Sequence, residues 1–575
     1  MLSWSDVLVG VSLAAATKVA VDGVVAFRKS LASLGPCPGH HIIYVNPFRP
    51  LSMVTGLVFP PRGWLSHYAQ KFSVYAADGS TILSSVAVGD AIPMYWLADA
   101  EALKVVTSDR HTFRKDIEAY EVLEIYGKNL LTTEDDEWRR HLMVTGPSFN
   151  EGLYALNWSK TLLLVQEWFE EIDNKSKDAE SLIDLKSSMD QITLLIIASA
   201  GFGMHTPWSS TSNMHAKVKA NLLSDEVMPF HIALGTTLQK LFTKVLIPSF
   251  AYNLPFQVPW LSEEAKVTNA AFGALKIHMS ELVLSARMGG GDEENLLRRL
   301  VLANDAAQEA EGSKKGTLTD DELFSNIFIF LVAGHETSAH ALSFAILLLA
   351  IYPEVQDKLR KEVMSVWPTE ESYKNATFKG SFDKLEYTLA VIRETLRCFP
   401  AEPRLPKIVQ EDCDLPGIRF ESSKPASSVS TSFDGGPTNL ALSLDDIQQT
   451  RFSVPIRKGD MVVMDIWALH MNPLVWGVDA HEFKPEHFID TDTYRWPRDG
   501  FLAFSAGPRG CLGQRFATTS AVCILARLVR RYEILVPENL AGVKDREELK
   551  RRLLKWTTGV TLTPTNAFAR FRKFQ

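Results

Sequence analysis

The chain has 575 residues, of which 46% are hydrophobic and 10% aromatic, enough for a large core in one or more domains. A net charge of -8 and a pI near 6.0 leave no electrostatic footprint for nucleic acid, and that partner class is excluded. The five cysteines (Cys37, Cys398, Cys413, Cys511, Cys523) are odd in number and form no C-x-x-C pair. They argue against a disulfide framework and a zinc module and suit a reducing compartment.

In chain order, Val7 to Phe27 is apolar except for Lys18 and Asp22 and ends at Arg28-Lys29. A spanning helix needs about 20 mostly apolar residues, so residues 1–30 are expected to be a membrane anchor. The basic pair then puts the remainder in the cytoplasm, and an amphipathic helix lying on the membrane fits the same residues. Gly35-Pro-Cys-Pro-Gly39 is too stiff for a helix and reads as a hinge. Helical periodicity follows at 161–171, 184–203, 265–287, 321–351, 353–366, 383–398 and 512–532, and strand-like runs at 81–88, 460–466 and 559–563. Residues 421–450, rich in Ser, Pro, Gly, Asn and Asp, read as a solvated insertion. The sequons at Asn157, Asn174 and Asn375 need a lumenal location that nothing else in the sequence supports.

Three stretches carry chemistry. The run from Leu323 to Glu354 is apolar enough for a membrane helix, but Gly334-His-Glu-Thr337 sits at its centre, where ionisable groups are costly. Glu394-Thr-Leu-Arg397 puts two opposite charges on one helix face, a pattern that a solvated surface pair also produces. "FSAGPRGCLG", Phe504 to Gly513, sets Cys511 just before an apolar helical pattern ending in basic residues. A helix N-terminus stabilises a thiolate. The glycines let the backbone approach something flat, and Arg509 offers a fork for a carboxylate. Thiolate, flat ligand and carboxylate together describe haem with a cysteine axial ligand; a buried cysteine in a glycine-rich loop satisfies the spacing as well.

"FSAGPRGCLG" resembles the Phe-x-x-Gly-x-Arg-x-Cys-x-Gly signature of the cytochrome P450 family at every specified position, and three further segments resemble the family in order, covering roughly residues 30–575. The resemblance implies a mainly α fold with a small β region, in one domain over 31–575. Haem b would lie between a central distal helix and the cysteine-loop helix. Cys511 would ligate the iron. Arg509, Trp138, Lys407, Arg110, Phe504 and Gly513 would contact the haem. Gly334 would make room for dioxygen, Thr337 would bond it, and Glu336 would supply protons. Glu394, Arg397 and His487 would form a structural network. This sequence departs from the family at His487 and at Leu142, both usually arginine.

The activity so implied is insertion of one atom of O2 into a hydrophobic small molecule, with a terpenoid-like substrate expected from the apolar pocket segments: 113–129, Phe328 and Ala333, Pro403 to Leu405, and Thr558 to Val560. No flavin or nicotinamide module follows Cys511, so electrons are expected from a separate NADPH-dependent flavoprotein reductase. Arg515, Arg527, Arg530 and Arg531 could guide that partner or form a solvated face. A reductase-independent isomerase or dehydratase, and a non-catalytic haem sensor, are the competing classes; Thr337 counts against the first, and Gly334, Glu336 and Thr337 together against the second. The anchor, "AGHETS" and the insertion resemble fungal microsomal members acting in secondary metabolism at the endoplasmic reticulum, with the catalytic domain facing the cytoplasm.

Overall fold

The computed structural model describes residues 4–39, 41–43, 46–49, 71–175, 180–204, 207–208, 227–246, 259–290, 292, 294–311, 316–421, 447–558 and 561–574. The chain forms two compact units, each built from two segments: residues 1–119 with 396–511, and 120–395 with 512–575.

The first unit holds the larger sheet. Strands β1 (His41–Ile43), β2 (Ile82–Ala87), β3 (Pro93–Leu97), β4 (Phe113–Lys115), β6 (Arg404–Val409) and β9 (Met461–Asp465) pair in the order β1-β2-β3-β9-β6-β4. Its central strands are apolar without alternation because both faces are covered. Ile82, Val86, Tyr95, Val462 and Met464 point into one cluster, and Leu83, Met94, Trp96, Met461 and Val463 into another. β7 (Cys413–Glu421) and β8 (Gln448–Ile456) form a hairpin whose last pair is Glu421 with Gln448. The ends of the expected insertion are therefore ladder residues: antiparallel pairing claims Glu421 and Gln448 to Thr450, while 422–446 lie outside the described residues.

Helix α1 (Trp4–Ser33) precedes this sheet. Phe27 and Leu31 pack on the first cluster beside buried Leu34, whereas Leu13, Val19, Val21, Val24 and Val25 are exposed. Among the described residues only Asp320–Ile351 is long and apolar enough to cross a membrane, and over half of its most apolar stretch is buried in the protein. The expected hinge is instead a pinned corner. Ser84 donates from N–H and Oγ to the Pro38 carbonyl at 2.7 and 2.9 Å, Arg419 donates to the Pro36 carbonyl, and Cys37 is buried.

The second unit is mostly helical. Its helices include α3 (Asp135–Thr145), α4 (Glu151–Lys175), α5 (Leu185–Ile196), α9 (Asp320–Ile351), α10 (Pro353–Val366) and α12 (Gln514–Arg531); α2 (Ala100–Ser108) belongs to the first unit. Between α5 and α9 in the chain come α6 (Phe230–Gln239), α7 (Pro259–Arg287) and α8 (Leu296–Glu311). Helix α11 (Glu386–Cys398) carries the chain from the second unit to the first. Two small sheets complete it, β10 (Tyr532–Leu535) with β13 (Phe568–Lys573) and β5 (Glu180–Asp184), and β11 (Trp556–Thr558) with β12 (Leu562–Pro564).

α9 starts on a capping box: Thr319 Oγ1 accepts the Glu322 N–H, and the Glu322 carboxylate accepts the Thr319 N–H at 2.8 Å. It runs unbroken through Gly334 to Thr337 and stops before Pro353, which opens α10. The π-helical turn Ile197–Gly201 lies at the end of α5. The sequon Asn157 is buried and its Nδ2 donates to the Phe516 carbonyl at 2.8 Å, which closes it to a glycan.

Candidate active site

None of the five cysteines is in a disulfide, and Cys511 is the one that is exposed. Its loop is tied to itself and to α2. The Cys511 N–H donates to the Phe504 carbonyl at 2.8 Å, the Gly510 N–H to the Gly507 carbonyl at 3.0 Å, and the Ser505 N–H to the Leu502 carbonyl at 2.8 Å. Ser505 and Gly507 take left-handed backbone, φ 57° and 66°. A Cβ on Gly507 would fall 2.1 Å from the Thr107 carbonyl oxygen, a backbone atom that cannot swing away. This glycine is required by contact as well as by φ. Gly513 has φ -83° and caps α12, which begins three residues beyond Cys511 rather than at it.

The same unit holds a buried brace under the loop. Arg397, fully buried, donates to the carbonyls of His470 and Glu482, both at 2.7 Å, and to that of Ala480, with its guanidinium 5.2 Å above the Trp476 ring. His470 Nε2 accepts the Leu502 N–H at 2.9 Å, and its ring stacks on Phe501. Burial, then the Arg397 charge, push His470 down to about 3, so it stays neutral and keeps its acceptor lone pair. A lone histidine in an apolar sequence gives no sign of this.

His487, also buried, has Nε2 3.3 Å from Asp479 Oδ1, and Lys484 Nζ bonds the same carboxylate at 2.7 Å. Burial would raise Asp479, but the Lys484 and His487 bonds outweigh it and hold the carboxyl at about 2. His487 thus has an acidic partner that the sequence did not point to. Glu394, on α11 one turn before Arg397, is fully buried.

Of the expected haem contacts in this unit, Arg509 lies in the cysteine loop and Arg110 three residues after Thr107, the residue on which that loop rests. Lys407 is buried on β6, in register with Val462 and Lys115. Arg404, in an expected pocket segment, makes a buried ion pair. It is buried against Asp465 at 3.3 Å, and Tyr75 donates to the same carboxylate.

In the second unit, α9 is buried on either side of a half-exposed stretch from Gly334 to Ser338, with Ala333 exposed. Thr337 Oγ1 donates to the Ala333 carbonyl at 2.7 Å. A Cβ on Gly334 would meet Ile197 Cδ1 at 2.6 Å, the far end of a side chain that can turn aside, so the packing here is close without demanding glycine. Burial, reinforced by Asp190 and opposed by Lys186, raises the Glu336 carboxyl above its usual range. Phe328 is fully buried, edge-on to Tyr126 at 5.2 Å and beside Phe272.

Trp138 is buried on α3 and Leu142 half-buried. Their neighbours fasten α3 to the start of α9. Arg140 forks onto Glu322, Nη1 to Oε2 2.8 Å and Nη2 to Oε1 2.5 Å, and Asn326 Nδ2 meets His141 Nδ1 at 2.9 Å. Burial acts against ionised Glu322, yet the Arg140 and Thr319 bonds hold it at about 2. Sequence reasoning missed Arg140, although T-x-x-E at Thr319 marks the helix start.

Of the four arginines proposed for docking, Arg527 is buried, and Arg530 and Arg531 are partly buried and tied to neighbouring groups. Arg527 is buried on Tyr373 and donates to its carbonyl at 2.7 Å, Arg530 bonds the Trp367 carbonyl and Glu370, and Arg531 pairs with Asp173. Arg515 is the most exposed of them, with its side chain 40% exposed, 4.2 Å from the Phe382 ring and 3.6 Å from Asp383.

A family model described as Cytochrome P450 matches residues 85–422 and 445–561. The chain is 32% identical over 558 residues to Cytochrome P450 monooxygenase 124 of Postia placenta, covering 95% of this chain and 96% of that protein. It is 25% identical over 491 residues to Cytochrome P450 monooxygenase ORF6 of Penicillium roqueforti, covering 82% and 78%, and 27% identical over 440 residues to Putative cytochrome P450 CYP13A4 of Caenorhabditis elegans, covering 72% and 74%. The chain belongs to the cytochrome P450 family. Its relatives place it among the haem-thiolate monooxygenases.

Proposed function

We propose that Cys511 ligates the iron of haem b and that the enzyme inserts one atom of O2 into a hydrophobic, terpenoid-like small molecule of secondary metabolism. The observation that carries this is the exposed Cys511 thiol on a loop braced at Gly507 and Leu502, while Cys37, Cys398 and Cys523 are buried. Bound haem supplies the oxygen-activating redox chemistry, which the thiolate assists by electron donation.

The chain's own residues do the rest. Arg509, Arg110, Lys407 and Trp138 suit the haem carboxylates, three as cations and one as an indole N–H donor, with Phe504 and Gly513 framing the cysteine loop. Thr337, whose hydroxyl hydrogen is committed to the Ala333 carbonyl, is held in one rotamer with its oxygen lone pairs free to accept a proton or a hydrogen bond. Glu336, raised by burial, holds a proton more readily than an exposed carboxyl and is the donor in this reading. Glu394, Arg397 and His487 keep a structural role. Electrons come from a separate NADPH-dependent flavoprotein reductase. Residues 1–30 attach the enzyme to the endoplasmic reticulum with the catalytic part in the cytoplasm, and the stretch 421–450 keeps its reading as an insertion; the two-part family match, which omits 423–444, supports the latter.

Cys511→Ala tests this reading. The expected result is loss of the thiolate-type absorbance of the reduced carbon monoxide complex; an unchanged spectrum reassigns the ligand.

A further inference from the structure

Helix α8 packs on α3 and on the turn Gly146–Ser148 that leads into α4, and a cavity of about 400 Å³ lies in this contact, a volume in the range of small-molecule sites. Pro147, Leu302 and Ala303 supply an apolar wall; Ser148, Glu294 and Arg299 supply polar groups, with Arg298 as a second cation. Pro147 and Leu302 are exposed, so the cavity opens to solvent. Arg299 Nη2 donates to Glu294 Oε2, with the two side chains 27% and 43% exposed. A Cβ on Gly152, in the first turn of α4, would fall on the same Glu294 oxygen. The carboxylate thus lies against the start of a 25-residue helix, where the dipole favours negative charge. Asn150 Oδ1 already accepts the Gly152 and Leu153 N–H groups, so it is the Arg299 guanidinium that holds the anion here.

An ion pair tying α8 to α4 accounts for only part of this. Arg299 Nε and Ser148 Oγ are buried behind the wall and have no hydrogen-bond partner among the described residues, and Ser148 as a whole is 1% exposed. Unsatisfied buried polar atoms are uncommon because each costs the hydration it gave up. Nε and Nη2 are the two donors of one guanidinium edge, which a carboxylate fills with both oxygens. Glu294 occupies Nη2 and leaves Nε unbonded. A second carboxylate seated on that edge satisfies Nε, and rotation about the Ser148 Cα–Cβ bond turns the hydroxyl to the same anion. Pro147, Leu302 and Ala303 then cover an apolar body attached to it, which a bare anion such as phosphate does not offer.

We propose that this cavity is a binding site for an organic monocarboxylate with an apolar body, and that the ligand's carboxylate exchanges with Glu294 on Arg299. Binding is non-covalent, and Glu294 holds the guanidinium in place until an acid replaces it. None of these residues belongs to the haem or oxygen machinery proposed above, so the inference stands or falls independently of Cys511.

The test is isothermal titration calorimetry of the haem-loaded full chain with octanoate, acetate and inorganic phosphate. Octanoate is expected to bind saturably, and acetate, which lacks the apolar body, more weakly. Arg299→Met weakens octanoate by about tenfold or more, because it removes a charge-assisted contact. Glu294→Gln strengthens it severalfold, because a neutral amide competes less well for the guanidinium. Ser148→Ala weakens it without abolishing it. Each variant is compared at wild-type haem absorbance, and Arg299→Lys, which keeps the charge but loses the fork, takes the place of Arg299→Met if the latter does not load haem. A pair that only ties α8 to α4 predicts no such opposition between Arg299 and Glu294. Octanoate affinity that is the same in wild type, the Arg299 variant and Glu294→Gln places the acid in another site and overturns the proposal, as does the absence of saturable binding. Acetate or phosphate binding as tightly as octanoate, with the same dependence on Arg299, overturns the ligand class.

Discussion

Replacing His470 by glutamine isolates one proton in the stability of the cysteine loop. In the folded enzyme His470 must stay neutral, because its Nε2 accepts the Leu502 N–H at 2.9 Å while Arg397 donates to its carbonyl. Its folded pKa is about 3 against 6.5 for an ordinary histidine. A depressed folded value means that stability is full above 6.5 and declines as pH falls from 6.5 towards 3, because the unfolded chain takes up a proton that the folded chain refuses. At about 1.4 kcal/mol per pH unit, the penalty reaches roughly 3 kcal/mol at pH 4.5. Glutamine can accept the Leu502 N–H through Oε1 and does not titrate.

The variant should therefore match wild type within about 1 kcal/mol at pH 7.5, a single repacked hydrogen bond being worth about that much, and overtake it by roughly 3 kcal/mol at pH 4.5. Urea unfolding followed by tryptophan fluorescence at pH 7.5, 5.5 and 4.5 gives both numbers. His141, His335 and His340 are also lowered by burial, but they are present in both proteins and cancel. Parallel stability curves for the two proteins would refute the argument, since they would mean that His470 is charged, or equally protonated, in both states.

Gly507→Ala should cost about 1–2 kcal/mol for the left-handed φ alone, and its Cβ, 2.1 Å from the Thr107 carbonyl, should displace the cysteine loop; the readout is faster haem loss on warming, followed by the haem absorbance. Arg140→Met should lower stability by about 3 kcal/mol by leaving Glu322 ionised and half-buried without its fork, and Arg140→Met with Glu322→Gln should recover part of that loss in a double-mutant cycle by urea unfolding.

Much of the fold is legible in the sequence wherever an element buries one side against its own unit. The patterns at 353–366, 321–351 and 460–466 become Pro353–Val366, Asp320–Ile351 and Met461–Asp465 because a proline, a capping box and a β-branched run mark their limits. Short or polar helices such as α2 and α3 escape a periodicity reading. α3 opens with three acidic residues and depends on Arg140 and His141 meeting α9, a contact across 182 positions that no local pattern encodes. The Gly35–Gly39 corner fails as a hinge for a related reason. Its stiffness is local, but what fixes it comes from Ser84 and Arg419, far along the chain.

The candidate site shows the same division more sharply. The cysteine loop is legible because its glycines, proline and Arg509 stand at fixed short spacing around Cys511. The arginines of α12 are misleading because sequence gives charge without burial. A guanidinium has five donors and can satisfy several carbonyls at once, so a helix that must pack closely can carry Arg527 and Arg530 inward and use them as connectors to Tyr373 and Trp367. Arg397 does so most completely, drawing the carbonyls of His470, Ala480 and Glu482 together, and His470 passes that order on to Leu502 at the root of the cysteine loop. The order of the cysteine loop thus comes from polar groups up to 114 positions earlier. Their function is acceptor geometry, which becomes visible only once the carbonyls they bind are placed.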